Sequence, residues 1–133
     1  MHVVGEFTPS SIEEARERYE TLGPAAQTVV REVARAMEFD REEYGERVDA
    51  DVVATARDAL FASLLAVHVG SREEFEAETE GLETHVIGNE NVDRVAWHAF
   101  DGECVAATFH EKEDAAVATL RRQAYGRLYR ERL

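Results

Sequence analysis

The first half of the chain carries apolar residues at the spacing of amphipathic helices. The capping-box spacing of Ser11 and Glu14, with Gly23 as a left-handed stop, predicts a first helix over about residues 9–22. A second helix is predicted over about residues 24–39. Its apolar positions, three or four residues apart, are Ala26, Val29, Val30, Val33, Ala36 and Met37.

Two aspartates and a serine mark the starts of three further predicted helices. Asp40 can cap a short acidic helix that ends between residues 45 and 48. Asp49 or Asp51 can cap a longer helix that continues to about Val67 and is the predicted centre of the core. Ser71, three residues before a glutamate, repeats the capping-box spacing and begins a short helix to about residue 78.

After Gly81 the pattern changes to short runs rich in Val, Thr, Trp and Phe, which favour strands. Three strands are predicted over about residues 84–88, 92–100 and 103–110, and residues 3–7 can add an edge strand. A last helix is predicted from about Lys112. Its apolar stripe consists of Val117, Leu120, Ala124 and Leu128.

The dipeptide Asp101-Gly102 joins two of these strands and is one that type I′ hairpin turns prefer. With a two-residue turn, Trp97 lies opposite Ala106 on one face of the hairpin. His98 then lies opposite Val105 on the other face, because alternate residues of a strand point to opposite faces of the sheet.

The order of elements predicts an α+β fold. It comprises an N-terminal cluster of about five helices, a small antiparallel sheet with a hairpin at Asp101-Gly102, and a C-terminal helix packed on the sheet. The hairpin face that bears Trp97 is expected to pack on the helix from Asp51 to about Val67. Because no linker, repeat or low-complexity tract interrupts the 133 residues, residues 1–133 are predicted to form a single domain.

The charge balance narrows the range of partners. The 28 acidic and 15 basic residues give a net charge of −13, which disfavours nucleic acid and anionic lipid as partners. Fourteen of the basic residues are arginine and one is Lys112. In molar salt the Debye length falls to about 3 Å, so this composition suits a salt-rich cytosol. A GC-rich genome explains arginine in place of lysine but not the acidic excess.

The chain shows neither a secretory signal nor a run long enough to cross a membrane, since its longest apolar-rich run covers residues 59–69. Cys104 is the only cysteine, so no intramolecular disulfide and no thiolate metal cluster can form. A cytoplasmic protein without a membrane segment is therefore predicted.

The sequence contains no phosphate-binding loop, nucleophile elbow or zinc-protease motif. The candidate metal ligands are His68, His85, His98 and His110. Because the hairpin places His98 and His110 on opposite faces, no metal site and no cofactor are predicted. Cys104, on an alternating strand rich in Ala and Val, is expected to be buried and not to act as a nucleophile.

An acidic cluster is a candidate for holding Mg²⁺ or Ca²⁺ or for general acid/base work. Its members are Glu38, Asp40, Glu42, Glu43 and Glu46. In a chain with 28 acidic residues, a solvated face explains such a cluster more simply.

Residues 121–132 hold five arginines and one glutamate, so positive charge is concentrated at the C-terminal end. The candidate partner-binding residues there are Arg121, Arg122, Tyr125, Tyr129 and Arg130. They predict a non-enzymatic interaction or regulatory module that binds a protein partner or forms a homodimer. Alternatively, these arginines complement the helix C-terminus or pair with the chain's own acidic helices.

A second functional hypothesis is a small enzyme with a site between the hairpin and the helices. His68, His98 and the acidic residues near Glu73 would supply its histidine and carboxylate groups.

Three stretches, YETLGPAAQTVVRE at residues 19–32, AMEFD at 36–40 and ARDALFASLL at 56–65, resemble a family of small uncharacterised haloarchaeal proteins. The likeness extends through Trp97-His98 and residues 120–124. The resemblance implies a halophilic, archaeal source. It implies no activity, so it assigns no role to any residue.

We expect the protein to lose structure as salt is lowered from molar concentration toward dilute buffer, because a net charge of −13 then repels itself without screening. Far-UV circular dichroism recorded across a salt series measures this loss. A spectrum that is the same in dilute buffer and in molar salt would contradict the expectation.

Overall fold

The computed structural model describes all 133 residues. The helices are α1 Ile12–Thr21, α2 Gly23–Ala36, α3 Arg41–Arg47, α4 Ala50–Leu64, α5 Arg72–Glu78 and α6 Glu113–Ala124. The strands are β1 His2–Val4, β2 Val67–Ser71, β3 Glu83–Ile87, β4 Arg94–Phe100 and β5 Glu103–Phe109. No helix has both the length and the apolar character needed to cross a membrane. The predicted α+β class is confirmed.

The predicted helix starts are set by side-chain caps. Ser11, Asp40 and Asp49 each accept a hydrogen bond from the backbone N–H three residues ahead, so Asp49 rather than Asp51 caps α4. At α5 the capping box is complete, because Ser71 and Glu74 each bond to the other's backbone N–H. These caps satisfy N–H groups that have no partner within their helices.

The sheet has the strand order β1-β2-β4-β5-β3. All neighbours are antiparallel except β3 and β5, which run parallel, so the prediction of an antiparallel sheet is wrong at β3. The loop after β3 passes over the end of β5, where the Asn89 N–H donates to Thr108 Oγ1 at 3.0 Å. The chain then continues into β4, which lies on the other side of β5, so β3 is an edge strand of the sheet.

The prediction that α4 continues to Val67 is wrong. Leu65, the residue after α4, has extended backbone angles, and β2 begins at Val67 with pairing to both β1 and β4. Val67 and Val69 alternate with His68 and are both buried, so they form the core-facing side of a strand. His68 therefore belongs to the sheet and not to a helix.

The hairpin forms as predicted. Asp101 and Gly102 have φ of +52° and +83°, the left-handed angles that a type I′ turn requires. Trp97 pairs with Ala106 and His98 with Val105, which confirms the register.

The main core lies between one face of the sheet and the helices α4 and α6. At its centre Phe61 of α4 is completely buried and meets four aromatic rings edge-on, with centroid distances of 5.2 to 6.0 Å. Those rings belong to Phe7, Tyr19, Tyr125 and Tyr129. Helix α4 thus lies at the centre of the core, as the sequence pattern predicts.

The other face of the sheet forms a smaller core around Trp97, which packs on Phe75 of α5 at 5.4 Å between ring centroids. The prediction that this face packs on α4 is wrong, because α4 lies on the face that carries Ala96, His98 and Phe100. Two opposite sheet faces are therefore covered, one by α4 and α6 and the other by α5.

A buried histidine ties the C-terminal segment to the sheet. His98 donates from Nδ1 to the Ala66 carbonyl, and its Nε2 accepts from the Tyr129 hydroxyl, each at 2.7 Å. Burial lowers the pKa of His98, so the ring is held neutral with both nitrogens bonded. Tyr129 reaches it from a π-helical turn, Tyr125–Tyr129, that continues α6 before a final 3₁₀ turn, Arg130–Arg132.

We expect Tyr129→Phe to lower the free energy of unfolding by about 1–3 kcal/mol, because His98 Nε2 loses its only partner in the core. Chemical denaturation in molar salt measures the change. Tyr44→Phe is the control, since the Tyr44 side chain is only partly buried and lies outside the main core. Equal stability of the two variants would contradict a structural role for the histidine–tyrosine bond.

Candidate interaction surface

Helix α2 has more apolar surface than its own core contacts cover. Its inner row, Ala26, Val30 and Ala34, is buried. The adjacent row of Val29, Val33 and Met37 is 42%, 53% and 58% exposed, although the sequence pattern placed it in the same predicted stripe. Two neighbouring apolar rows form a wider stripe than one packing partner covers. The width of this stripe in the sequence is therefore the feature that could have indicated an exposed apolar surface.

The exposed row of α2 forms one wall of an apolar groove of about 340 Å³, and α3 and α4 complete the groove. The lining residues are Val29, Val30, Val33, Ala34, Met37, Phe39, Arg47, Val48, Val52, Thr55, Ala56 and Ala59. Arg47 is the one charged residue among them. Open apolar grooves of this kind are typical of binding sites.

The outer side of α4 also carries a row of uncharged residues over three turns. Val52, Thr55, Ala59 and Ser63 are exposed and follow one another at helical spacing. In a chain with 32% charged residues, an exposed helix face with small uncharged side chains is unusual. We call the surface formed by Val29, Val33, Met37, Val52, Thr55 and Ala59 the α2–α4 face.

A second concavity of about 420 Å³ adjoins the groove and shares Thr55 and Ala59 with it. Its other lining residues are Asp58, Ala62, Arg122, Tyr125 and Arg130. We call it the arginine pocket. Three of the predicted partner-binding residues, Arg122, Tyr125 and Arg130, therefore lie together beside the α2–α4 face.

The two arginines of this pocket are not held in ion pairs. Arg122 and Arg130 are exposed and form no salt bridge, whereas Arg132 pairs with Asp101 at 2.8 Å. The Arg130 guanidinium lies 5.5 Å from the centroid of the Tyr125 ring, which supports it by a cation–π contact. The surface therefore presents two arginines without a salt-bridge partner at one end of an apolar groove, in a pocket that the Asp58 carboxylate also lines.

The other two predicted partner-binding residues serve the fold. Arg121 donates from Nε to the Leu65 carbonyl at 2.9 Å and from Nη2 to the Val4 carbonyl at 3.2 Å. Burial lowers the pKa of its guanidinium. Tyr129 is completely buried against His98, so its ring is not available to a partner.

Tyr125 contributes only an edge to the pocket, because its side chain is buried and its hydroxyl points inward. Asp58 Oδ1 accepts from the hydroxyls of Tyr19 at 2.6 Å and Tyr125 at 2.8 Å. Burial, followed by the Asp58 carboxylate, raises the pKa of both phenols. This shared acceptor fixes the base of the arginine pocket.

The histidines suggested for an enzyme site do not converge. His98 is buried in the main core, while His68 stacks on Trp97 at 5.6 Å on the opposite sheet face. His110 is exposed, and His85 lies at the outer edge of the sheet beside two glutamates. No common pocket brings the first two together.

Cys104 is buried, as predicted, and burial raises the pKa of its thiol to about 12. A thiol in this state is a poor nucleophile at neutral pH.

In the predicted acidic cluster, Asp40 is occupied as the cap of α3, and the carboxylates of residues 38–46 do not gather at one point.

Residues 6–130 of the chain match DUF5809, which is described as a family of unknown function. No curated protein has significant similarity to the chain. No solved structure has significant similarity to it either.

The pKa of Tyr125 is raised in the folded state, so the contribution of this phenol to stability is fully present below about pH 10. That contribution falls as the pH rises above 10, because the phenol then ionises in the unfolded chain but stays protonated in the folded one. We expect Tyr125→Phe to reduce the slope of that loss by about 1.4 kcal/mol per pH unit. Denaturant unfolding at several pH values above 10 measures the two slopes. Identical slopes would show that Tyr125 ionises freely in the folded protein.

Proposed function

We propose that the chain, which belongs to the DUF5809 family of unknown function, is a non-enzymatic protein-interaction module that forms a homodimer through its α2–α4 face. The observation that carries this proposal is an exposed apolar groove on a chain with a net charge of −13. The separation of His68 and His98 onto opposite sheet faces supports a non-enzymatic role.

Removal of this apolar surface from water supplies the driving force for association. Four large apolar side chains, Val29, Val33, Met37 and Val52, lie around the groove and are 39–58% exposed. Burying apolar surface contributes roughly 25 cal/mol per Å². The contribution grows with the number of side chains that a partner covers.

A second copy fits this face because small residues occupy its middle. In an antiparallel two-fold contact, a symmetry axis between Thr55 and Ala59 sets each of these residues opposite the other in the second copy. Their short side chains allow two α4 helices to approach closely, and α2 of each copy packs alongside. The result is a layer of four helices around the apolar rows.

The charges along α4 suit the same antiparallel arrangement. Asp51 lies on the same side of the helix as Thr55 and Ala62, since these positions are four and eleven residues apart. From the axis, Asp51 and Ala62 lie on opposite sides at similar distances, which are about 9 Å for Asp51 and about 7.5 Å for Ala62 at 1.5 Å per residue. Asp51 of one copy therefore comes near the arginine pocket of the other.

Neither side of this contact has a competing partner within the chain. Asp51, Arg122 and Arg130 form no salt bridge in the monomer. The two-fold axis repeats each ion pair, so the dimer gains two charge contacts that fix its antiparallel orientation.

We further propose that the module works in a salt-rich cytosol, an assignment that the charge and the arginine excess support. Molar salt screens exposed ion pairs but leaves apolar burial intact. The α2–α4 face therefore supplies the affinity under these conditions, and the screened charges of the arginine pocket add only a preference for the antiparallel orientation.

Sedimentation equilibrium in molar salt tests the proposal. We expect the wild type to have twice the 15.0 kDa mass of the chain, and Val33→Glu to raise the dimer dissociation constant by about 100-fold or more, because a charge is then buried at the contact. Val3→Glu is the matched control, since Val3 is 51% exposed on β1 and lies outside the face. A wild type that stays monomeric at hundreds of micromolar would overturn self-association.

A charge exchange tests the orientation. Asp51→Arg alone, and Arg122→Glu with Arg130→Glu, should each weaken the dimer at moderate salt. Combining all three substitutions should restore part of the lost affinity, because the ion pairs re-form with reversed sign. Additive weakening in the triple variant would contradict the antiparallel contact.

A further inference from the structure

The parallel pairing of β3 with β5 brings three metal-binding side chains to the outer edge of the sheet. Glu83 and Glu103 are directly paired in the register, and His85 follows two residues after Glu83 on the same face. His85 Nε2 lies 3.3 Å from Glu103 Oε1 and 3.9 Å from Glu83 Oε1. The three ligand atoms all lie within 4.8 Å of one another.

The two carboxylates need a positive neighbour. Like charges at neighbouring positions on adjacent strands repel each other and destabilise the pairing. Glu83 is exposed and Glu103 is only partly buried, so an ion can reach both from solvent. A cation between them would remove the repulsion and fasten the edge strand β3 to β5.

Arg127 stands at the other side of the imidazole, with Nη1 3.3 Å from His85 Nδ1. Because arginine only donates, Nδ1 accepts this bond and Nε2 carries the ring proton toward Glu103. A metal ion at Nε2 requires the other tautomer, with the proton on Nδ1, and therefore requires Arg127 to withdraw. Arg127 is exposed and can move into solvent.

We propose that Glu83, His85 and Glu103 form a binding site for a divalent transition-metal ion of the Zn²⁺ class, and that Arg127 competes with the ion for His85. An imidazole nitrogen favours such ions over Mg²⁺ and Ca²⁺, which prefer oxygen ligands alone. Three protein ligands leave at least one coordination position for water or for a further ligand.

The rigid setting of the ligands supports the site. Five consecutive residue pairs join β3 to β5, so the backbone positions of Glu83, His85 and Glu103 are fixed before an ion arrives. Only side-chain rotations are needed to close the ligand sphere. The site uses no residue of the α2–α4 face or the arginine pocket, so it is independent of the homodimer proposal.

Isothermal titration calorimetry with Zn²⁺ alone, at molar salt and neutral pH, tests the site. We expect one Zn²⁺ per chain, and His85→Ala should weaken binding by at least 10-fold. His110→Ala is the matched control, because His110 is exposed and is absent from the cluster. Equal binding by wild type, His85→Ala and His110→Ala would overturn the site and assign the heat to scattered surface carboxylates.

Arg127→Ala provides a second arm that distinguishes the metal site from a simple histidine–glutamate pair. Removing the competing guanidinium should tighten Zn²⁺ binding several-fold, because the ring can then adopt the required tautomer at lower cost. The Co²⁺ complex should show a visible absorption band in the wild type and in Arg127→Ala, and no band in His85→Ala. Weaker binding by Arg127→Ala would contradict the competition.

Discussion

The burial of Phe61 fixes the orientation of α4, and the positions of the segments that pack around this ring depend on that orientation. One aromatic ring meets Phe7 from the N-terminal segment, Tyr19 from α1, and Tyr125 and Tyr129 from the C-terminal turn. Because this side of α4 is committed to the core, its opposite side, with Thr55 and Ala59, must face outward. The α2–α4 face is thus a direct consequence of how the core is packed.

The same packing decides what the C-terminal segment can do. The tyrosines and arginines of this segment are predicted together as partner-binding residues, but Tyr125 and Tyr129 are buried in the π-helical turn. Their hydroxyls meet Asp58 and His98, and only the arginines at the rim remain exposed. This end of the surface therefore presents charged side chains, whereas the exposed apolar side chains lie on α2 and α4.

Features governed by neighbouring residues could be predicted from the sequence. The Asp101-Gly102 turn, its strand register and the caps at Ser11, Asp40 and Ser71 all depend on residues within one turn of each other. Features governed by distant partners could not. The run after α4 has the composition of a buried helix, and only its pairing with β1 and β4 makes it a strand.

The pairing of β3 shows why the cluster of Glu83, His85 and Glu103 could not be predicted from the sequence. Glu83 and Glu103 are twenty residues apart, and a meander would have placed β3 beside β4 instead. Parallel pairing with β5 alone brings His85 between the two carboxylates. The candidate interaction surface was missed in part for a related reason, since an amphipathic pattern shows which residues are apolar but not how many of them the fold covers.

The antiparallel contact of two α4 helices is tested most directly by distance measurement in molar salt between spin labels at Ser63→Cys, an exposed position of α4 away from the small residues at the axis. The native Cys104 is buried, with its thiol pKa raised to about 12, so the added cysteine is the one that reacts. Helices in contact lie about 8–10 Å apart, and the Ser63 positions of the two copies are offset by about 18 Å along the helices, so the homodimer predicts a single distance of about 20 Å between the labelled backbone positions. A sample that shows no dipolar coupling at concentrations of hundreds of micromolar would contradict the account.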